Sequence, residues 1–256
     1  IGGPLLHSIL DSGLNEAVAV TVPEGPTVTY EELNSEVERT AGVLAATGLE
    51  PGDTISLILG NNLEFLVCFL AIARAGAVAA PLNPAYTREE LSYYMKDAGS
   101  QLVLGSPYSH GGKEAAGSLG IAYLEAGLFD GEVKLFSNGA ELESTVDVAH
   151  SADNATALFL HTSGTTSRPK GVPLTHANLL ASVRNISQTY GLTAADVAMV
   201  VMPLFHVHGL IGVALSTLGT GGAVVLPPRF SASGFWALKN ATGATWYSAV
   251  PTIHQI

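Results

Sequence analysis

Charge is scarce in this sequence. Only 13% of its 256 residues are Asp, Glu, Lys or Arg, and 11 basic residues face 22 acidic ones, a formal net charge of −11. No run of Lys or Arg occurs, so a nucleic-acid backbone would find no electrostatic partner. Cysteine is scarcer still: Cys68 stands alone, inside the apolar stretch 65–70. That excludes a disulfide framework, removes any need for an oxidising compartment, and predicts a buried structural thiol rather than a nucleophile. Long unbroken apolar runs are missing as well. Residues 65–80 are interrupted by Arg74 and Gly76, and residues 197–228 are divided by Pro203 and by Gly219, Gly221 and Gly222. Each piece falls short of the ~20 residues a membrane span requires. The first basic residue is Arg39, so no secretory or transit signal is visible at the front. The expected setting is cytoplasmic or peroxisomal, without secretion or an integral membrane segment. The chain opens on Ile1 rather than Met, which is compatible with a segment upstream.

What is present suits a soluble α/β protein: 47% hydrophobic residues, 28 glycines and 13 prolines. Residues 31–46 carry Leu33, Val37, Ala41 and Leu44 on one helical face, with Thr29 placed to cap the helix and Gly48 to end it. The patterning predicts strands at 54–59, 76–81 and 101–105, a helix buried nearly all round at 63–75, and a helix at 88–98 after Thr87. Residues 106–153 are crowded with glycine and alternate weakly, which predicts short strands and connections. Further strands are predicted at 157–161, 197–202, 223–226 and 245–250. Further helices are predicted at 175–190, closed by Gly191, at 207–218, at 235–239 and from Pro251 onward. Strand and helix alternate, the pattern of a doubly wound α/β fold with mostly parallel sheets and helices on both faces. We divide the chain into a first subdomain region, 1–153, and the start of a second, 154–256.

Residues 162–172 read T-S-G-T-T-S-R-P-K-G-V, directly after a predicted strand. Hydroxyls, glycines and one lysine in this density make a phosphate cradle, because glycine lets the backbone approach an anion while hydroxyl and main-chain N–H groups donate to it. The candidate ligands are Thr162, Ser163, Gly164, Thr165, Thr166 and Lys170. A Walker A loop requires glycine before its lysine and Ser/Thr after it. Here Pro169 precedes Lys170 and Gly171 follows, so that reading fails. The plain alternative is a polar surface turn between two strands.

This segment resembles the signature loop of the adenylate-forming superfamily, S-G-T-T-G-x-P-K-G-V, which spans acyl-CoA synthetases, 4-coumarate-CoA ligases, luciferases and peptide-synthetase adenylation domains. Ser163, Gly164, Thr165, Thr166, Pro169, Lys170, Gly171 and Val172 match, and Ser167 stands where glycine is usual. The stretches T-Y-E-E-L at 29–33, G-D at 52–53, G-A-V-A-A-P-L-N-P at 76–84 and P-L-T-H-A-N at 173–178 resemble the same superfamily in order. The wording M-P-L-F-H-V-H-G at 202–209 and T-W-Y-S-A-V-P-T-I-H-Q-I at 245–256, together with Ser167, is most similar to its oxalate-CoA ligase branch.

On residue type alone, a lone histidine such as His206 on an apolar face is more often a satisfied core residue than a ligand. The resemblance implies that Phe205-His206 contacts the substrate carboxylate. His206 and His208 could also begin a metal site, but no Cys, His or carboxylate lies nearby in sequence to complete one. His161 and His176 flank the candidate loop and are expected to shape it, while His7, His110 and His150 are expected to be solvated. An apolar tunnel would leave the second carboxylate of oxalate unpaired, and His208 and His254 are the candidates to receive it.

The resemblance implies a two-step ligase reaction on ATP, a small carboxylate and CoA, with Mg2+ on the phosphates and no assigned protein ligand for the metal. A carboxylate oxygen attacks the α-phosphate, pyrophosphate leaves, and the CoA thiol then displaces AMP. The superfamily's later parts, including its hinge and small C-terminal domain, have no counterpart in residues 1–256, so these residues alone are expected not to turn over. The alternatives are a 4-coumarate- or fatty-acid-CoA ligase, and a non-catalytic nucleotide-binding fragment.

Overall fold

The computed structural model describes residues 5–144, 146, 148, 154–162 and 169–255. After a 3-10 turn at Leu6–Ser12, the order begins β1 (Val18–Thr21), β2 (Thr27–Thr29), α1 (Tyr30–Ala46), β3 (Thr54–Ile58), α2 (Leu63–Arg74), β4 (Val78–Pro81), α3 (Arg88–Asp97) and β5 (Ser100–Gly105). It continues with α4 (His110–Ser118), β6 (Ala122–Phe129), β7 (Glu132–Ser137), β8 (Ala140–Glu141), β9 (Thr156–Thr162), β10 (Lys170–Thr175) and α5 (His176–Tyr190). Then come β11 (Val197–Met199), a π-helix (His208–Leu215), α6 (Ser216–Leu218), β12 (Ala223–Val225), α7 (Phe235–Thr242) and α8 (Pro251–His254).

Two sheets result. The eight-stranded one runs β10-β9-β4-β3-β5-β6-β7-β8 and the four-stranded one β11-β12-β1-β2. Strands β9, β4, β3, β5 and β6 are mutually parallel, whereas β10, β7 and β8 add antiparallel edges. The sheets are therefore mixed, with a parallel centre. Each draws strands from both sides of residue 154: β9 pairs with β4, and β1 with β12.

Local chemistry explains the helix ends. Thr29 Oγ1 accepts the Glu32 N–H while Glu32 Oε2 accepts the Thr29 N–H, and Thr87 with Glu90 repeats the arrangement. Thr175 and Asn178 do the same for α5, which ends at Gly191 with φ +63°. These reciprocal bonds satisfy backbone donors that a helix start leaves orphaned. Helix α2 is fully buried from Phe65 to Ala73, packed against α1, β3, β4, β6, β7 and β9. Only its ends carry charge, and Arg74 Nε reaches Glu38 Oε1 at 2.7 Å. Cys68 is fully buried, and desolvation pushes its thiol well above the ordinary range. His7 is half-buried rather than solvated.

Three predicted elements differ. The stretch read as loop to residue 172 becomes strand from Lys170, because β10 pairs antiparallel with β9 at the sheet edge, where Pro173 is tolerated. The helix at 207–218 winds as a π-helix before its last turn. Residues 245–250 form no strand beyond a single bridge, Ala198 to Trp246.

Tyr30 joins the two halves. Its buried hydroxyl lies 2.6 Å from the Gly222 carbonyl oxygen and 3.0 Å from that of Leu218. Tyr30→Phe should cost about 1–2 kcal/mol, read as a lower urea midpoint with unchanged slope.

Candidate functional site

In open α/β sheets, ligands gather at the carboxyl ends of the strands. Three such ends matter here: β9, which runs into Thr162; β3, which runs into Asn61; and β11, which runs into His206.

At the first, β9 and β10 bring Thr162 and Lys170 opposite each other in register, and Thr162 Oγ1 lies 3.5 Å from the Lys170 carbonyl oxygen. Both residues are exposed. Ser163, Gly164, Thr165 and Thr166 lie outside the described residues. Gly171 leaves room for the Phe159 ring, which a Cβ there would meet at 2.2 Å and displace. One residue before Thr162, the side chain of His161 is 7% exposed. Its Nε2–H donates to Asp97 Oδ2 at 2.8 Å, and Tyr94 and Phe159 flank its ring. Its Nδ1 is buried and has no partner among the described residues. His161 thus ties the hairpin to the end of α3. His176 is wholly buried, and its Nδ1 accepts the Leu6 N–H at 3.1 Å.

At the third, residues 202–210 form a tight backbone knot. The His206 N–H donates to the Pro203 carbonyl, and the Leu210 N–H to that of His206. From the β3–α2 connection, Asn61 Nδ2 donates to the Met202 carbonyl at 3.2 Å, and Asn61 Oδ1 accepts the Leu204 N–H at 2.7 Å. The His206 side chain is largely exposed, yet partial desolvation holds its pKa below the ordinary imidazole value. At neutral pH it is therefore a neutral ring, able to donate one N–H and accept through the other nitrogen.

His208 begins the π-helix, with Nε2 2.8 Å from Ser248 Oγ. His254 is held differently. Its Nε2–H donates to the Ala249 carbonyl at 3.2 Å, and its Nδ1 lies 3.2 Å from the Tyr247 hydroxyl. Side chains alternate along this extended segment. Trp246 faces the main core and stacks on Tyr190, whereas Tyr247 and Ala249 face a separate cluster with Phe235 and Ile253. Ser248 shares the face of Trp246, so His208 and His254 approach the segment from opposite faces. His254 closes a small aromatic pocket of about 140 Å³ with Phe230, Phe235, Trp236 and Tyr247. His206 and His208 thus stand two residues apart at the π-helix entry, while His208 and His254 engage different groups of the segment 247–249.

Asn61, Ser248 and Asp97 were not singled out from sequence. Asn61 follows a strand end directly, where a polar residue is a cue to a site; the other two carry no local signal. A cavity of about 820 Å³ lies elsewhere, and its described lining includes Glu16, Glu31, Glu32, Glu36, Asp130 and Glu132 with no basic residue. Such a lining repels a polyphosphate. Among the described residues, no group of three or more His, Cys, Asp or Glu side chains is placed to hold a metal ion. No described helix is long and apolar enough to cross a membrane.

Gly209 is what lets the knot close: a Cβ there would lie 2.4 Å from the Pro203 oxygen and 2.6 Å from that of Met202. Gly212 is the internal control, since its Cβ would make only ordinary contacts from 3.6 Å. Gly209→Ala should destabilise by about 1–3 kcal/mol in urea unfolding, while Gly212→Ala should leave the midpoint nearly unchanged.

Comparison with known proteins bears on the same residues. The family model described as AMP-binding enzyme matches residues 12–256. An oxalate–CoA ligase of Arabidopsis thaliana is 47% identical over 96% of this chain and 51% of its own length. An oxalate–CoA ligase of Saccharomyces cerevisiae is 37% identical over 95% and 51%. The structure of MatB from Rhodopseudomonas palustris with bound ATP superposes with a TM-score of 0.85 at 29% identity, covering 98% of this chain and 50% of that one. The chain spans about half the length of the curated relatives it matches. With the family model covering nearly the whole chain, and with the parallel-centred sheets and the β9–β10 hairpin in place, the chain belongs to the AMP-binding enzyme family.

Proposed function

We propose that the full protein is an AMP-forming acid–CoA ligase and that its carboxylate is oxalate. The observation that supports the reaction class is the hairpin: it sets Thr162 and the Lys170 cation at the two ends of a hydroxyl- and glycine-rich connection. That donor set fits a polyphosphate, and the similar MatB structure was solved with ATP bound. The choice of oxalate is supported by the two similar oxalate–CoA ligases.

In this reading, Thr162, Ser163, Gly164, Thr165, Thr166 and Lys170 hold the phosphates of ATP and stabilise the charge that builds as a carboxylate oxygen attacks the α-phosphorus. Electrostatic stabilisation of that kind is the larger part of such catalysis. Pyrophosphate leaves, and the CoA sulfur then attacks the acyl carbon and expels AMP. Magnesium would travel with the nucleotide's phosphates and neutralise part of their charge.

His206, kept neutral, donates an N–H to the reacting carboxylate. His208 donates to the second carboxylate, with Ser248 Oγ fixing its ring. His254 has both ring nitrogens engaged by residues 247 and 249, so its contribution is to hold that segment and through it Ser248.

Oxalyl-CoA formation from oxalate, ATP and CoA by the full-length gene product, followed chromatographically, tests the reading. His208→Ala should raise the KM for oxalate about tenfold or more, and His254→Ala much less. Preference for 4-coumarate or a fatty acid over oxalate would overturn the substrate, and no thioester with any acid would overturn the reaction.

A further inference from the structure

We propose that Asn61 is a positioning residue for the carboxylate site, clasping the 202–204 backbone so that His206 is presented in one fixed place. This deepens the function proposed above and rests on it. The clasp itself is geometric. A single side-chain amide donates to the Met202 carbonyl and accepts from the Leu204 N–H, 3.2 and 2.7 Å away. A carboxamide offers both roles from one planar group, and Asn has a shorter reach than Gln. The two backbone groups it takes up flank Pro203, whose own carbonyl is already used by the His206 N–H. Met202 and Leu204 are both buried, so neither peptide group has ready access to water in Asn61's place.

The origin of Asn61 gives the clasp its consequence. It stands in the connection from β3, the central strand of the eight-stranded sheet, and its neighbour Asn62 caps α2 by accepting the Phe65 N–H at 2.9 Å. Asn61 therefore sits between a central strand and a capped, buried helix. The residues it grips leave β11, an edge of the other sheet, and are followed at once by Phe205 and His206. A phosphate site on the eight-stranded sheet and a carboxylate site on the four-stranded one must be held in register for in-line attack, where small misplacements are costly. Asn61 is the described side chain that bonds directly across that gap to the His206 loop. Gly209, closing the knot from inside against the Met202 and Pro203 carbonyls, and Asn61, gripping it from outside, meet at the Met202 carbonyl.

Asn61→Leu keeps the branch at Cγ and removes both hydrogen bonds. Two readouts are taken. Amide exchange at His206, whose N–H does not bond to Asn61, should rise about tenfold in Asn61→Leu of this chain. In the full-length product, the KM for the carboxylate should rise about tenfold while the KM for ATP stays within about twofold. Should Asn61→Leu fail to fold, Asn61→Asp carries the same measurements, since it keeps the acceptor for Leu204 and loses the donor to Met202. Unchanged exchange at His206, or KM values for carboxylate and ATP that move together, would overturn the proposal. Faster exchange in a protein with no ligase activity would uphold the clasp and remove the function it was proposed to serve.

Discussion

A helix with no solvent face sets the terms for this fold. Because α2 is buried from Phe65 to Ala73, its start and its direction must be settled by groups that also satisfy its backbone. Adjacent asparagines do this: Asn62 caps the first turn, and Asn61 reaches over to the backbone of residues 202 and 204. The same few residues thus end the central strand of one sheet, start the central helix, and fasten the exit of the other sheet. Tyr30 makes a comparable tie from α1 to the carbonyls of Leu218 and Gly222. The two sheets are held by buried polar bonds as well as by apolar burial, which gives the interface between them one defined geometry.

Much of this was legible in the sequence wherever the signal is local. Thr29, Thr87 and Gly191 mark helix ends by chemistry that involves only their near neighbours, and each helix forms where that chemistry places it. The stretch 106–153 was legible only as short strands and connections, because its signals are glycine-based; β6, β7 and β8 are such strands, whereas α4 was not read. Asp130-Gly131 and Asn138-Gly139, all with positive φ, are hairpin turns that join β6 to β7 and β7 to β8. Helix α4 contains Gly111, Gly112 and Gly117, which depress helical propensity; Gly112 is buried, and a Cβ there would displace the Ser109 hydroxyl at 2.7 Å. The π-helix could not be foreseen, since an apolar run encodes burial and not the hydrogen-bond step.

The candidate site divides along the same line. The hydroxyl-rich connection and the Phe205-His206 pair announce themselves by composition and resemblance. Asn61, Ser248 and Asp97 act on partners far away in the chain, 40 residues in one case and 141 in another, so no window of sequence contains both ends. The separation of His208 from His254 has a sequence correlate that was available: alternation along 245–250 puts Ser248 and Tyr247 on opposite faces. Charge follows function in the same plain way. Six acidic residues line a cavity away from the hairpin, and Lys170 stands exposed beside the hydroxyl-rich connection.

Carboxylate-dependent exchange of labelled pyrophosphate into ATP isolates the adenylation step, before CoA takes part. With oxalate and the full-length gene product, label should enter ATP, and Lys170→Ala should slow that entry about a hundredfold while leaving the unfolding midpoint in place. Absence of exchange with every carboxylate offered, or exchange indifferent to the loss of Lys170, would contradict the assignment of the β9–β10 hairpin as the phosphate site.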